Sequence, residues 1–247
     1  MYQKNNGGNI VKNSNELQVV KIPNQPLYRY MSIKRLDEIL KNQSIGLHRI
    51  NKFEDIDEYY IKKYNDEINK ILYMDRQSDQ MQNHIFALCF SATEPQSGDF
   101  FWKHKNYAAD SDSVCIETSV LSFLNCIDTN KCYSCLSSVE YASLENSILQ
   151  YKLTNAPFEH PSFSPYNPID LIFQFAFLKS LEYKEEKEIR FAIISPYTDG
   201  EWLISPLKDF SFISKIWIHP EATSKSIQAV EEMAIKHHLS YQVTTPI

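Results

Sequence analysis

Residues 183–194 read YKEEKEIRFAII, a charged head that gives way to an apolar tail within two residues. The tail EIRFAII is short and rich in β-branched and aromatic side chains, which predicts a strand rather than a helix. If residues 186–191 are extended, Glu186, Glu188 and Arg190 share one face, and Ile189 and Phe191 point into the core. Two carboxylates at that spacing repel unless a cation or a shared proton intervenes, so one pKa is expected to rise. Such a pair suits orienting a nucleophile, stabilising a developing positive charge or binding a metal ion. It suits equally a charged strand start, with an Arg partner, at the rim of a sheet.

Working outward, several short extended patterns recur. LYRYMS reads as a strand over residues 27–31, and Ser32 is placed to cap a helix over 33–41 whose Ile33, Leu36, Ile39 and Leu40 share a face. SIGLHRI, HIFALCFSAT (84–93), SVCIETS, YSCLSSVEYA, ISKIWIH and YQVTTP complete the strand candidates. Residues 53–74 carry apolar positions at helical spacing, with acids early and lysines late. IDLIFQFAFLKSLEY reads as a buried helix ending at the charged head, and SKSIQAVEEMAIKHHL as an amphipathic helix. APFEHPSFSPYNP is a proline-bearing loop. Residues 1–22 read as a flexible leader and 23–247 as one domain. The interleaving of short strands with helices predicts an α+β fold, with a mixed or mostly antiparallel sheet and flanking helices.

Composition narrows the function. A chain of 247 residues with 43% hydrophobic and 23% charged residues can bury a sizeable core. Only five glycines occur, and neither G-x-G-x-x-G nor a Walker sequence is present, which argues against Rossmann and P-loop nucleotide sites. The net charge is -6 with no long basic run, so nucleic-acid binding is not expected as a general surface property. Neither an apolar signal region nor a stretch approaching the roughly 20 apolar residues of a membrane span appears, and a cytoplasmic location is expected. The five cysteines suit reduced thiols; Cys132-x-x-Cys135 alone has metal or redox spacing, and a zinc site would want further ligands.

Beside Glu186 and Glu188, other residues suit chemistry, each with a plainer reading. Arg29 stands between Tyr28 and Tyr30 and takes the opposite face of a strand, where its planar fork suits a phosphate or carboxylate; it suits an edge strand's surface as well. Asp55 and Glu58 lie at a helix start, where acids complement the dipole. Ser91 and Thr93 follow a strand, where hydroxyls commonly build turns. Trp102 and Tyr107, in FWKHKNYA, suit core anchors or the rim of a pocket.

As an ordered set, LYRYMS, FEDIDE, CFSAT, FWKHKNYA, KSLEYKEEKEIRF and KIWIHP resembles a large bacterial family of uncharacterised proteins, a domain of unknown function. That family opens with a Y-[KR]-Y strand, continues through an acidic motif, a Ser-containing strand end, a Trp-x-x-Tyr segment and a Lys, and ends in E-x-E-x-R. The resemblance covers about residues 27–247. FEDIDE lacks the family's Asn-Asp-Pro form, and the spacing from Trp102 to Tyr107 is wider than usual. The chain is also similar in motif order to ADP-ribosyltransferases of the Arg-Ser-Glu type. That resemblance implies that Arg29 holds a phosphate of NAD as substrate and that Ser91, with Thr93, steadies the nicotinamide-ribose side. It further implies that Glu188 stabilises an oxocarbenium-like ribose with Glu186 assisting, and that Tyr30 or Trp102 stacks on nicotinamide. Tyr107 and Arg190 fall in the same cofactor-binding set. The implied setting is microbial conflict or phage defence. Two alternatives stay open: a metal-dependent nuclease or phosphodiesterase, with Asp55, Glu58, Glu186 and Glu188 holding Mg²⁺, and a non-catalytic module binding a small molecule or protein.

Overall fold

A computed structural model describes residues 3–4, 10–11, 17–19, 25–53, 84–95, 101–102, 108, 110–128, 133–142, 176–195 and 198–244. In chain order the strands are β1 (Gln3–Lys4), β2 (Ile10–Val11), β3 (Leu17–Val19), β4 (Leu27–Ser32), β5 (Ser44–Arg49), β6 (Ile85–Ser91) and β7 (Ser113–Thr118), then β8 (Tyr133–Ser138), β9 (Glu140–Ala142), β10 (Leu178–Ser180), β11 (Glu188–Ile194), β12 (Trp202–Pro206), β13 (Lys215–Ile218) and β14 (Tyr241–Val243). Helices α1 (Ile33–Asn42), α2 (Val120–Cys126) and α3 (Ser224–His237) accompany them. This is the expected α+β architecture with a mostly antiparallel sheet. Ten strands form the main sheet, ordered β14-β13-β7-β4-β6-β11-β8-β3, with β5 joining β6 and β12 joining β5. Two pairings within it are parallel, β13 with β14 and β3 with β8. Leu17–Val19, within the segment expected to be a leader, supplies the latter.

The helices form where the sequence places their caps. Ser32 accepts a hydrogen bond from the Arg35 amide at 3.2 Å, which satisfies one of the donors a helix start leaves open. Thr223 caps α3 in the same way through the Ser226 amide. Leu36, Ile39 and Leu40 of α1, Phe123 and Leu124 of α2, and Val230 and Ala234 of α3 all join one core with Phe90, Ile116, Leu136, Ile189, Phe191, Ile193 and Ile216 from the sheet. The alternation predicted for β11 therefore holds, with Ile189 and Phe191 turned to the helices. Each such side chain, once buried, contributes roughly 1.5–3 kcal/mol.

The opposite face of the sheet is also covered. Ile85, Ala87, Cys135, Ala192 and Ile194 cluster with Ala176 and Phe177, while Tyr28, Cys115 and Trp217 cluster with Trp102 and Ala108. Burial on both faces explains why EIRFAII reads as continuously apolar after its first residues.

One prediction fails over its last residues. Of the apolar run expected to be a helix up to the charged head, 169–175 lie outside the described residues, and beyond Phe177 the chain forms β10, which pairs in parallel with β9, followed by a 3-10 helix over Leu181–Glu186. A short apolar run has no period of its own that separates strand from helix, and the pairing with β9 decides it. Among the described residues no helix is long and apolar enough to cross a membrane.

Candidate functional site

The sheet forks at β6. One edge of this strand carries β11 along its whole length, from Glu188 opposite Ser91 to Ile194 opposite Ile85. The other edge is shared: β5 pairs at Phe86 and Ala87, and β4 meets it at the single bridge Tyr28–Ser91. At the fork the Arg29 guanidinium donates from Nη1 to the Cys89 carbonyl, at 2.7 Å. Arg29 thus satisfies a strand carbonyl beside the bridge, from an interior strand rather than an edge. Burial pulls its pKa below the usual arginine value, and the negative charge of nearby Glu188 counters that pull.

Residues directly opposite in an antiparallel pair share a face. Following the register from β13 to β11, Lys215, Glu117, Tyr28, Ser91 and Glu188 form one row across five strands. At the end of that row lies a buried ionic cluster. Glu186 and Glu188 are 2% and 6% exposed and Arg190 is fully buried. Lys179 of β10, itself 3% exposed, sits between the two carboxylates, with Nζ 2.7 Å from Glu186 Oε2 and 3.4 Å from Glu188 Oε2. Arg190 Nε takes the other oxygen of Glu188, Oε1, at 2.8 Å. Nη1 of the same guanidinium donates to the Ala176 carbonyl, and the group lies 5.6 Å from the centre of the Phe53 ring.

This geometry corrects the expectation of a shared strand face and answers that of a raised pKa for Glu188. Glu186 is not on the strand with Glu188: it ends the 3-10 helix, and Lys187 between them adopts a left-handed backbone with φ of 45°. The turn at Lys187, not strand alternation, brings the two carboxylates together. Nor does the pair raise a pKa at Glu188. Burial pushes it up, but the charges of Arg190 and Lys179 outweigh that and hold it at about 2. Lys179 is held protonated: burial works to lower its pKa, and Glu188 and Glu186 together raise it well above the usual lysine value.

Ser91 ties the turn to the strand. Its hydroxyl donates to the Glu186 carbonyl and accepts from the Thr93 amide, both at 2.9 Å. The Ala92 amide adds a bond to the Lys187 carbonyl. On the other side, the Glu188 amide donates to the Tyr141 hydroxyl at 2.8 Å. The Thr93 hydroxyl and the Ser137 hydroxyl, the latter opposite Arg190, are buried without a hydrogen-bond partner.

The structure therefore gathers Arg29, Ser91, Thr93, Glu186, Glu188 and Arg190 around the fork. Tyr30 and Trp102 stand one step away, packed against each other edge to face with ring centres 4.9 Å apart. Phe101 stacks on Tyr30 at 4.8 Å, and the indole N–H of Trp102 donates to the Pro95 carbonyl. Tyr107, Asp55 and Glu58 lie outside the described residues. Among those residues no group of three or more His, Cys, Asp or Glu is placed to hold a metal, and the ammonium of Lys179 fills the space between the two carboxylates. Lys179 is the participant to which the residue pattern attached no role. Its signals are its place at the head of the motif KSLEYKEEKEIRF and its isolation in the apolar stretch FAFLKSL, because a buried ammonium requires a carboxylate partner.

No family model matches the chain, so the resemblance to an uncharacterised bacterial family gains no support, and no curated protein matches it. Solved structures of Thermus sp. 2.9 DarT are similar in outline. The complex with NAD+ is 10% identical, with a TM-score of 0.38, over 91% of this chain and 97% of that one. The complex with ADP-ribosylated ssDNA is 10% identical, with a TM-score of 0.39, over 93% and 97%. Likeness at this level does not place residues of one chain on the other.

Proposed function

We propose that the chain is an ADP-ribosyltransferase-like enzyme that takes NAD as substrate, with Glu188 as its catalytic carboxylate. The observation that carries this reading is the ionic state of Glu188 at the fork. Two cations hold it as a carboxylate far below neutral pH, beside Ser91 and near Arg29. A permanent carboxylate is unsuited to donate a proton but suits an oxocarbenium-like transition state, whose positive charge it stabilises without reorganisation. In the reaction, the bond from the ribose C1′ to the nicotinamide nitrogen breaks and its electron pair leaves with neutral nicotinamide. A nucleophilic acceptor then forms the new bond to C1′ and gives up its proton. Arg29 is the cation at the fork suited to a phosphate of NAD. The two bonds made by the Ser91 hydroxyl support a positioning role for it, holding the turn that presents Glu188.

The test is incubation with labelled NAD, alone and with cell lysates, comparing the wild type with Glu188→Gln. Nicotinamide release or label transfer by the wild type is expected, with a loss of roughly 100-fold or more in the folded variant. An inert wild type across several lysates overturns the proposal.

The near-complete burial of Glu186, Glu188 and Arg190 favours a second reading, in which the cluster only fastens β10 and its turn to the sheet. On that reading the wild type leaves NAD intact while Glu188→Gln is destabilised.

A further inference from the structure

Glu188 is held through its backbone as well as through its carboxylate. In the two-stranded parallel sheet of β9 and β10, Tyr141 lies directly beside Lys179. Both side chains reach Glu188: the Lys179 ammonium meets the carboxylate, and the Tyr141 hydroxyl accepts the Glu188 amide proton at 2.8 Å. A backbone N–H can only donate, so the phenol is the acceptor in this bond and its own proton is not used there. Among the described residues no atom accepts that proton. Lys179 is buried, whereas Tyr141 keeps partial exposure. Burial, and then the charges of Glu188 and Glu186, push the phenol above the usual tyrosine range against the pull of the Glu188 amide, so it stays protonated. We propose that Tyr141 is a substrate-contacting residue, whose hydroxyl proton donates to a hydroxyl oxygen of the ribose that carries nicotinamide. This rests on the assignment of Glu188 as the catalytic carboxylate and extends it to the contacts of the substrate.

The physical reason is complementarity between donor and acceptor. An ionised carboxylate only accepts, so Glu188 can take the proton of a ribose hydroxyl but can offer none to its oxygen. That oxygen leaves its water behind on entering the site, which costs free energy unless a protein donor replaces it. Tyr141 supplies such a donor, and its bond to the Glu188 amide fixes donor and acceptor relative to one another. The donor is also neutral. A further cation in its place would oppose the positive charge that develops on the ribose.

A cycle between protein and substrate tests the proposal. kcat/KM is measured for NAD and for its analogues lacking the 2′- or the 3′-hydroxyl of the nicotinamide ribose, with the wild type and with Tyr141→Phe. Phenylalanine removes the donor and also the acceptor of the Glu188 amide, so turnover of NAD itself falls whether Tyr141 touches the substrate or only holds Glu188. A direct contact alone makes the loss of the tyrosine hydroxyl and the loss of a ribose hydroxyl non-additive. On removal of at least one of the two ribose hydroxyls, the wild type is expected to lose roughly 3- to 10-fold more than Tyr141→Phe, the range of one neutral hydrogen bond. Equal losses in the two proteins for both analogues overturn the proposal and leave Tyr141 a structural partner of the Glu188 amide. If Tyr141→Phe does not fold, 3-fluorotyrosine in place of Tyr141 keeps the hydroxyl and makes it a stronger donor. A larger loss on removing a ribose hydroxyl is then expected, and an unchanged loss overturns the proposal. A wild type inert toward NAD overturns the transferase reading and this contact with it, whereas equal losses with an active wild type overturn the contact alone.

Discussion

Ser91 and Glu188 face one another as paired residues on β6 and β11, yet the Ser91 hydroxyl donates to the carbonyl of Glu186 at 2.9 Å. The hydroxyl therefore fixes the turn that carries the catalytic candidate. Ser91→Ala removes the partner of a buried carbonyl and of the Thr93 amide. A destabilisation of about 1–3 kcal/mol is expected, read from the urea midpoint, with a drop in NAD turnover larger than that loss of stability explains.

Arg190 provides a sharper test of the cluster. Arg190→Met leaves Glu188 with Lys179 as its partner and strips the Ala176 carbonyl of its donor. Breaking a buried pair in this way is expected to cost on the order of 3–5 kcal/mol. Arg190→Lys restores a charge but not a fork that reaches Glu188 and Ala176 together, so thermal unfolding is expected to show little rescue.

The pH dependence of stability follows from Glu188. Its folded pKa, about 2, lies below the 4.5 of the free side chain, so the unfolded chain takes up the proton first. The stabilisation is thus fully present above about pH 5 and is lost as pH falls through 4.5 toward 2, on the order of 3 kcal/mol in all. Urea midpoints across that range should fall more steeply for the wild type than for Glu188→Gln. Equal slopes would show that Glu188 is not held ionised by its neighbours.

Lys187 tests the turn between the carboxylates. Its left-handed backbone, at φ of 45°, is one that glycine adopts freely and β-branched residues resist. Lys187→Gly is expected to leave the melting temperature unchanged or higher. Lys187→Val is expected to lose roughly 1–2 kcal/mol and, by misplacing Glu186 against Lys179, to raise the Glu188 pKa.

Much of the fold is local and was legible in the residues. LYRYMS with Ser32, SKSIQAVEEMAIKHHL and EIRFAII each carry their own period or cap, and each forms the predicted element within a residue or two. The segment around Lys179 was not legible in this way. FAFLKSL satisfies a buried helix and a buried strand equally, and the parallel pairing with β9 makes Leu178–Ser180 within it a strand. Trp202–Pro206 escaped notice because its strand is held by pairing with β5 rather than by a strong pattern of its own.

The candidate site divides along the same line. Arg29, Ser91, Thr93, Glu186, Glu188 and Arg190 stand out in the sequence because charge and hydroxyl interrupt apolar strands, where an unpaired polar group is costly. What they do to one another depends on strand register between distant segments. Register sets Glu188 opposite Ser91, places Arg29 at the fork, and delivers Lys179 between two carboxylates that would otherwise repel. The sequence by itself determined which side chains required partners. Only the tertiary structure decided which partners they received, because the energy of a buried charge depends on the neighbours that folding brings within a few ångströms of it.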